Sequence, residues 1–247
     1  ILRKFLLESL ERVSRFSGQP YKFFTQVDRW LERHKPGRAA KGYWAGYPHY
    51  QTAPSVLNPH TIKQRFVFDV LARESPAKVL DCAANKGFYA EMAARLGSSV
   101  AAFDCEEFCV DECLKLAQSK ELDITPLIMD FRLPTPNYGM GLFKDSAFAR
   151  LQADIVLAMC LVHHLCIVQR LPVKIFCETC MNYAKRGVVI EYVDPADKHV
   201  AAWSKPIPKD YSIEFISYYF SKRFPEAERS ETELDQGLCR TYIFFHN

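Results

Sequence analysis

Residues 79–87 of this chain read Val-Leu-Asp-Cys-Ala-Ala-Asn-Lys-Gly, a short apolar run that ends in a carboxylate and opens into a loop closed by a glycine. The segment from Lys78 to Cys82 has the length and composition of a buried strand, and a helical pattern follows from about residue 87 to 97. A strand followed directly by a helix is the repeating unit of α/β proteins. This stretch therefore predicts one strand of an α/β sheet and the loop at its carboxyl end.

The same alternation continues on both sides of this strand. A helix is predicted over about 61–74, and further helices over about 107–119, 168–185 and 211–223. Between them lie apolar runs predicted as strands at 99–104, 124–130, 154–159 and 187–193. Two last strands, near 226–232 and 239–245, are separated by little more than a turn, so one of them is expected to be antiparallel. The pattern predicts a Rossmann-like, doubly wound α/β sheet of seven mostly parallel strands with an antiparallel C-terminal strand.

The first sixty residues differ because they contain no strand-like run. Apolar residues recur at helical spacing over 1–13 and again over 23–31. Residues 37–60 form a long connection whose aromatic and imidazole side chains include Tyr43, Trp44, Tyr47 and His49. Connections of this length are often lids or binding loops, although plain packing is an equal alternative. We predict an N-terminal helical and lid extension over 1–60 and a core domain over 61–247.

Composition limits the classes of function. The 247 residues carry 32 Lys and Arg against 29 Asp and Glu, so the formal net charge of +3 is too weak for a general nucleic-acid-binding surface. The longest near-apolar stretch, 155–168, is too short to cross a membrane and contains two histidines. The nine cysteines are scattered in apolar segments, which favours reduced, buried thiols over disulfides or a zinc site. We expect a cytoplasmic protein with no metal, no nucleic-acid partner and no membrane span; the oligomeric state is left open.

Acidic residues stand at the predicted carboxyl ends of three strands, namely Asp81, Asp104 and Asp130. Ligands of doubly wound sheets bind at this edge. A carboxylate at the end of the second strand suits the two hydroxyls of a ribose. Asp130 followed by Phe131 suits an adenine, because the carboxylate accepts from the exocyclic amine while the apolar side chain packs on the ring. One such acidic residue is commonly a helix N-cap, but three in register favour a nucleoside ligand.

Residues 79–87, with Phe103-Asp104, Met129-Asp130 and 154–158, resemble the ordered motifs of class I S-adenosylmethionine-dependent methyltransferases. A wider set of matches, which includes Tyr43-Trp44, His163-His164 and Arg240-Thr-Tyr242, is similar to the bacterial methyltransferases related to the nodulation protein NoeA. The resemblance covers about residues 43–247. It implies a protein that binds S-adenosyl-L-methionine, releases S-adenosyl-L-homocysteine and acts on a small-molecule acceptor.

The resemblance also implies which residues hold the cofactor: Asp81, Ala83, Asn85, Lys86, Gly87, Phe88, Asp104, Asp130, Phe131, Met159 and Lys63. One departure concerns Ala83, which stands where the family usually has glycine. Alanine fits there without strain only if its φ is negative, and whether its methyl group weakens cofactor binding stays open. Lys86 is expected either to pair with the carboxylate of the cofactor or to be an ordinary solvated lysine.

Methyl transfer from a sulfonium requires alignment of the acceptor and removal of a proton from it. The candidate catalytic residues are His163, His164 and Glu191, and the candidate lid over the substrate consists of Tyr43, Trp44, Tyr47 and His49. Either histidine could instead support the backbone, and Glu191 could be a buried structural carboxylate. The predicted reaction is methyl transfer to a hydroxyl or amine of a small or medium-sized acceptor, such as a sugar, a lipid-linked saccharide or a natural product.

Three alternatives remain open at this stage. The acceptor could be a protein side chain. The chain could be a catalytically inactive protein that binds S-adenosylmethionine or S-adenosylhomocysteine, which Ala83 and Ala84 favour. A nucleotide-cofactor dehydrogenase is the third, although no Gly-x-Gly-x-x-Gly follows the first strand. Cofactor titration and turnover separate these alternatives.

Overall fold

A computed structural model of the chain describes residues 42–46 and 56–247, together with Gln26, Arg29, Trp30 and Arg33. The chain divides into two compact units, Ile1–Ala39 and Ala40–Asn247. The four described residues of the first unit are helical. The helix predicted over 1–13 lies outside the described residues, and the predicted domain boundary at residue 60 stays a prediction.

The second unit alternates strands and helices. Its strands are β1 (Lys78–Cys82), β2 (Ser99–Asp104), β3 (Ile124–Ile128), β4 (Ala153–Ala158), β5 (Ala184–Val193), β6 (Glu226–Arg229) and β7 (Arg240–His246). Its α-helices are α1 (Ile62–Glu74), α2 (Phe88–Arg95), α3 (Glu107–Ser119), α4 (Ala147–Arg150), α5 (Val173–Tyr183), α6 (Lys198–Ala202) and α7 (Ile213–Phe220). A 3₁₀ turn covers Trp44–Gly46, a second covers Met140–Leu142, and a π-helical turn covers His164–Val168. All seven predicted strands are present, whereas α6 and the π-helical turn were not predicted.

The seven strands form one mixed sheet in the order β3-β2-β1-β4-β5-β7-β6. The strands from β3 to β5 are parallel, and β7 is antiparallel to both of its neighbours. This confirms the predicted sheet with one antiparallel C-terminal strand. The chain winds outward from β1 to β3 and then crosses back to β4, so the strand order reverses between β1 and β4. Pro126 lies in the edge strand β3, where a missing backbone N–H is tolerated.

Helices cover both faces of the sheet. Val67 and Leu71 of α1 and Met92 of α2 pack on one face, and α5 and α7 cover the other through side chains such as Phe176 and Phe220. Because both faces are buried, the central strands are continuously apolar instead of alternating. The expectation of buried thiols holds for Cys82, Cys109, Cys113, Cys166, Cys177 and Cys180, all of which are reduced.

A capping box fixes the start of α1. The hydroxyl of Thr61 accepts a hydrogen bond from the Gln64 backbone N–H (3.1 Å), and the Gln64 side chain accepts in return from the N–H groups of His60 (3.0 Å) and Thr61 (3.4 Å). Such caps stabilise a helix start by about 1 kcal/mol. The cap places Lys63 in the first turn of the helix, from where its side chain reaches the ends of β4 and β5.

Gly187 lies where β5 and β7 pack closely against each other. A Cβ atom at this position would lie 2.5 Å from the Phe244 ring and 2.6 Å from the carbonyl oxygen of Phe245. We expect Gly187→Ala to lower the free energy of unfolding in urea by about 2 kcal/mol, because the backbone of β7 has to move. Gly46→Ala is the control, since no residue that the structure describes lies within 4 Å of its added Cβ. Equal unfolding midpoints for the two variants would contradict this packing.

Candidate active site

The candidate site lies at the carboxyl edge of the sheet, beside the reversal of strand order between β1 and β4, where doubly wound sheets bind ligands. Loops after β1, β2, β3 and β4 line one cleft there, which we call the strand-end cleft. It encloses about 760 Å³ of empty space, including solvent at its mouth. Its lining residues are Trp44, Ala83, Asn85, Phe103, Asp104, Cys105, Met129, Asp130, Phe131, Arg132, Cys160, Leu161, His164, Leu165 and Gln169.

The loop after β1 takes a left-handed backbone conformation at every second residue. The φ angles are +56° at Ala83, +50° at Asn85 and +85° at Gly87. Asparagine tolerates this region and glycine is unstrained in it, but alanine is not. Ala83 therefore does not have the negative φ at which an alanine is unstrained. At Gly87 even a Cβ would not fit, because it would lie 2.5 Å from the sulfur of Cys113 in α3.

Asp104 connects the loops after β1 and β2. Its carboxylate accepts hydrogen bonds from the backbone N–H groups of Asn85 (2.9 Å) and Glu106 (2.9 Å). The side chain is buried at the cleft wall, and this burial raises its pKa above the ordinary value. Each carboxylate oxygen retains a lone pair, so Asp104 can still accept from a ligand.

Asp130 does not present a bare carboxylate to the cleft. Arg132 binds it bidentately, with Nη2 at 2.6 Å and Nε at 3.1 Å, and the Arg132 hydrogen bonds lower its pKa. Phe131 points inward instead, where it is 5% exposed and stacks on Phe176 with ring centroids 5.5 Å apart. The Phe131 side chain therefore forms an apolar wall of the cleft, and Arg132 orients the carboxylate beside it.

Trp44 is anchored by its backbone to the same loops. The side chain of Asn85 donates to the Trp44 carbonyl (2.9 Å), and the Trp44 N–H donates to the Glu106 carboxylate (2.8 Å). Gly42 approaches that carboxylate so closely that a Cβ atom would lie 2.4 Å from it. The described segment 42–46 is therefore fixed over the loops after β1 and β2.

A second cavity, the aromatic cavity, adjoins the strand-end cleft. It is lined by Tyr43, Trp44, His163, His164, Val193, His199, Trp203 and Arg240. Trp44 and His164 line both spaces, and their rings are in edge-to-face contact at 4.6 Å. The two spaces thus meet at one indole and one imidazole.

The two histidines after β4 are kept neutral by their surroundings. Burial lowers the pKa of His164 to about 4, and burial together with the adjacent His164 holds the pKa of His163 well below its ordinary value. His163 is 4% exposed and stacks on Trp203, and its Nδ1 has no hydrogen-bond partner among the described residues. Of the two histidines, His164 lines both cavities and His163 lines one, so His164 is better placed to meet a substrate.

Glu191 in β5 lies at the centre of a buried ion network. Its Oε2 accepts from Lys63 Nζ (2.6 Å) and the Cys160 N–H (2.9 Å), and its Oε1 accepts from Arg240 (3.0 Å). Burial alone would raise the pKa of this fully buried carboxyl, but the charges of Lys63 and Arg240 hold it well below its usual range. Arg240 also donates to Asp197 (3.1 Å). Glu191 lines neither cavity, and these contacts favour the structural alternative for it.

The structure places nine of the eighteen predicted site residues in the walls of these two cavities. Those that line the strand-end cleft or the aromatic cavity are Tyr43, Trp44, Ala83, Asn85, Asp104, Asp130, Phe131, His163 and His164. Those that line neither are Asp81, Lys86, Gly87, Phe88, Met159, Lys63 and Glu191. Tyr47 and His49 lie outside the described residues. The roles assigned to all of these residues stay predictions.

Asp81 and Lys86 are two of the predicted residues that line neither cavity. Asp81 is 2% exposed beneath the loop, and burial raises its pKa to about 8. The amine of Lys86 lies over the Phe108 ring, 6.0 Å from its centre, instead of in the cleft.

Several lining residues were not among the predicted site residues. Trp203 follows the unpredicted helix α6, which is too short to show a helical period. Arg240 was noted only as part of a sequence resemblance, and Cys160 only as one of many cysteines. A signal existed for Cys160 in its position directly after a buried strand.

Among the described residues, no group of three or more His, Cys, Asp or Glu side chains could hold a metal ion. No helix among the same residues is long and apolar enough to span a bilayer.

Ala83 and Ala84 form a matched pair for testing the backbone of the loop. A left-handed alanine is strained, so we expect Ala83→Gly to raise the free energy of unfolding by about 1 kcal/mol. Ala84 is not among the residues of positive φ, and Ala84→Gly is expected to lower that free energy by about 0.5–1 kcal/mol. Urea unfolding measures both. Destabilisation by both substitutions would contradict the left-handed conformation at Ala83.

The low pKa of His164 predicts loss of stability in acid. The unfolded chain binds this proton near pH 6.5 and the folded chain near pH 4, so stability is fully present above pH 6.5 and declines toward pH 4. Asp81, whose pKa is raised, acts in the opposite direction, and a comparison of variants is therefore needed. We expect His164→Gln to lose less unfolding free energy than the wild type over this range, by up to about 3 kcal/mol. Identical pH profiles would contradict the burial of a neutral imidazole.

Comparison with known sequences finds a similarity to a nodulation protein. The chain is 26% identical over 230 residues to the nodulation protein NoeA of Rhizobium meliloti strain 1021, and the match covers 89% of this chain and 46% of NoeA. The chain therefore spans about half the length of this curated relative. No protein-family model matches the chain.

Comparison with solved structures finds proteins of the same fold. The bifunctional kinase-methyltransferase WbdD superposes with a TM-score of 0.54 at 15% identity, covering 79% of this chain and 44% of WbdD. The N-terminal domain of EvdMO1 with S-adenosylhomocysteine bound superposes with a TM-score of 0.53 at 13% identity, covering 76% of this chain and 82% of that domain. The same domain has been crystallised in the presence of S-adenosylhomocysteine and D-fucose. The chain therefore has the fold of the kinase-methyltransferase WbdD and of the EvdMO1 domain, and it is similar in sequence to the nodulation protein NoeA.

Proposed function

We propose that this chain binds S-adenosylmethionine in the strand-end cleft and transfers its methyl group to a hydroxyl of a sugar-containing acceptor in the aromatic cavity. The observation that carries this proposal is the meeting of the two spaces at Trp44 and His164. Because these two side chains form a wall common to both spaces, direct transfer requires the donor and the acceptor to come into contact at the edge of this wall. The same fold in an S-adenosylhomocysteine-bound EvdMO1 domain supports the donor.

The strand-end cleft has the groups that a nucleoside needs. Asp104 retains lone pairs for the ribose hydroxyls, and Phe103, Met129 and Phe131 supply an apolar surface for the adenine. Asp130, oriented by Arg132, is placed to accept from the exocyclic amine. The bound cofactor supplies an activated methyl group on a sulfonium.

His164 is the proposed base. Burial keeps its imidazole neutral at physiological pH, and the neutral form is the one that accepts a proton. A hydroxyl becomes strongly acidic as its oxygen bonds to the incoming methyl carbon, so a base of low pKa is sufficient late in the transfer. Glu191 then acts as a positioning residue, because it holds the Cys160 N–H in the turn that leads to His163 and His164.

The lining of the aromatic cavity favours a sugar. Tyr43, Trp44 and Trp203 offer ring faces and edges for the apolar side of a sugar ring, while His199 and Arg240 offer polar groups. Such mixed surfaces are characteristic of small-molecule pockets with oriented polar contacts. The D-fucose present with the EvdMO1 domain supports this class of acceptor.

A second candidate function is binding of the cofactor without catalysis. The methyl group of Ala83 lines the cleft with its backbone in a strained conformation. That methyl group would occupy space at the point where the family has glycine. Binding without turnover toward any acceptor would favour this second function.

Binding of the cofactor is tested by calorimetric titration with S-adenosylhomocysteine. We expect wild-type binding, and at least tenfold weaker binding by Asp104→Ala, a loss of about 1.4 kcal/mol or more. Asp123→Ala is the matched control, because this exposed carboxylate precedes β3 at the opposite edge of the sheet. Equal affinities of Asp104→Ala and Asp123→Ala would remove Asp104 from the site.

Methyl transfer to the acceptor is tested on the wild type and His164→Gln with methyl-labelled S-adenosylmethionine and a panel of sugars that includes D-fucose. His164→Gln is expected to keep cofactor affinity and to lose most of its turnover, because the proton has no acceptor. Undiminished turnover by His164→Gln would assign the base elsewhere.

A further inference from the structure

Lys63 and Cys160 are in unusually close contact. Lys63 Nζ lies 2.7 Å from Cys160 Sγ, although the residues are 97 positions apart in the chain. This separation is shorter than the sum of the van der Waals radii of nitrogen and sulfur, and a single bridging oxygen atom would span it. The two side chains come from the first turn of α1 and the turn after β4.

Both partners are fixed in place by Glu191. One carboxylate oxygen, Oε2, accepts from Lys63 Nζ (2.6 Å) and from the Cys160 backbone N–H (2.9 Å). The backbone of Cys160 is left-handed, with φ at +53°. The capping box of α1 fixes the helix turn that carries Lys63. The amine and the thiol are therefore held against each other by groups that neither can leave without breaking the network.

Cys160 differs from the fully buried cysteines in its access to small molecules. It is half-buried and lines the strand-end cleft, whereas Cys82, Cys166, Cys177 and Cys180 are buried in the core. Cys160 therefore adjoins the cleft from which a small oxidant would approach. Burial raises the pKa of its thiol, so the reactive thiolate is a minor form at neutral pH and its oxidation by peroxide is slow.

We propose that Lys63 and Cys160 form an oxidative modification site, at which hydrogen peroxide joins Nζ to Sγ through one oxygen atom. The first peroxide oxidises the thiol to a sulfenic acid and becomes water. The second removes two further electrons as the sulfenic oxygen bonds to Nζ, and it becomes two waters. One thiol, one neutral amine and two peroxides give one N–O–S link and three waters, and the proton first lost by the Lys63 ammonium passes to solvent.

The link would change the site that the proposed function uses. Nitrogen bound to oxygen no longer carries the ammonium charge that Glu191 requires, and the turn that holds His163 and His164 begins at Cys160. This consequence rests on the proposed function. The modification itself does not, because it is detected by mass.

The experiment treats the purified chain with hydrogen peroxide, digests it and sequences the peptides by mass spectrometry. The expected product is a cross-linked pair of peptides joined at Lys63 and Cys160, heavier by about 14 Da than the two together, since one oxygen is gained and two hydrogens are lost. Treatment with dithiothreitol is expected to separate them. Cys160 oxidised to a sulfinic acid beside an unmodified Lys63 would overturn the proposal, and a cross-link lighter by about 2 Da would overturn the oxygen bridge in favour of a direct sulfur–nitrogen bond.

Three variants sharpen this test. Lys63→Arg keeps a cation beside Glu191 but removes the amine, and Cys160→Ser removes the sulfur; neither is expected to cross-link. Cys239→Ser is the matched control, because Cys239 is also half-buried and its loss should leave the link intact. If either site variant fails to fold, the wild-type and Cys239→Ser chains still decide the outcome.

A last measurement distinguishes failure of the modification site from failure of the proposed function. S-adenosylhomocysteine in the strand-end cleft should slow the cross-link at a fixed peroxide concentration. Cross-linking that is unaffected by this ligand would count against cofactor binding and would leave the modification site standing. Calorimetric binding of S-adenosylhomocysteine together with no cross-link in the peroxide-treated unliganded chain would support cofactor binding and overturn the modification site.

Discussion

The buried carboxylate of Glu191 is the interaction on which the site depends. Burying a charge costs several kcal/mol, and the cost is recovered only when donors surround it. Lys63, Cys160 and Arg240 supply these donors from α1, the end of β4 and the start of β7. Glu191 thereby ties three separate parts of the chain to the carboxyl-terminal part of β5.

The network also determines the shape of both cavities. Arg240 donates to Glu191 and Asp197 in the interior and lines the aromatic cavity with the same side chain. Asp197 in turn caps α6 by accepting from the His199 N–H (2.9 Å), and Trp203 follows directly after that helix. The position of Trp203 in the wall of the aromatic cavity is thus set by the buried charged groups. Glu191 therefore influences the site through the side chains that it holds in place.

Local patterns were sufficient to predict the fold, because strands and helices leave periodic signatures within a few residues. The length of β1, the carboxylates of Asp104 and Asp130 and the antiparallel C-terminal strand all follow from such signatures. The partners of Glu191 do not, since Lys63 is 128 positions away in sequence and Arg240 is 49. No pattern around Glu191 distinguishes a base from the hub of an ion network.

Backbone conformation and short-range pairing account for the other differences between the predicted and the observed site. The φ of Ala83 depends on the loop being held by Asp104 through Asn85, which composition cannot show. Arg132, two residues after Asp130, binds and orients a carboxylate that the sequence alone would present as bare. Each of these features needs three-dimensional contact before it can be interpreted.

The charges of the strand-end cleft distinguish the two cofactor classes that a doubly wound sheet accommodates. Among its lining residues the charged groups are Asp104, Asp130 and Arg132, which sum to one negative charge when ionised. A dinucleotide brings two phosphates, which need a glycine-rich loop at a helix start, and Ala83 and Ala84 do not provide one. S-adenosylmethionine brings a sulfonium, which an acidic cleft beside neutral imidazoles stabilises. The electrostatics of the cleft and the neutrality of His164 therefore favour the same cationic methyl donor.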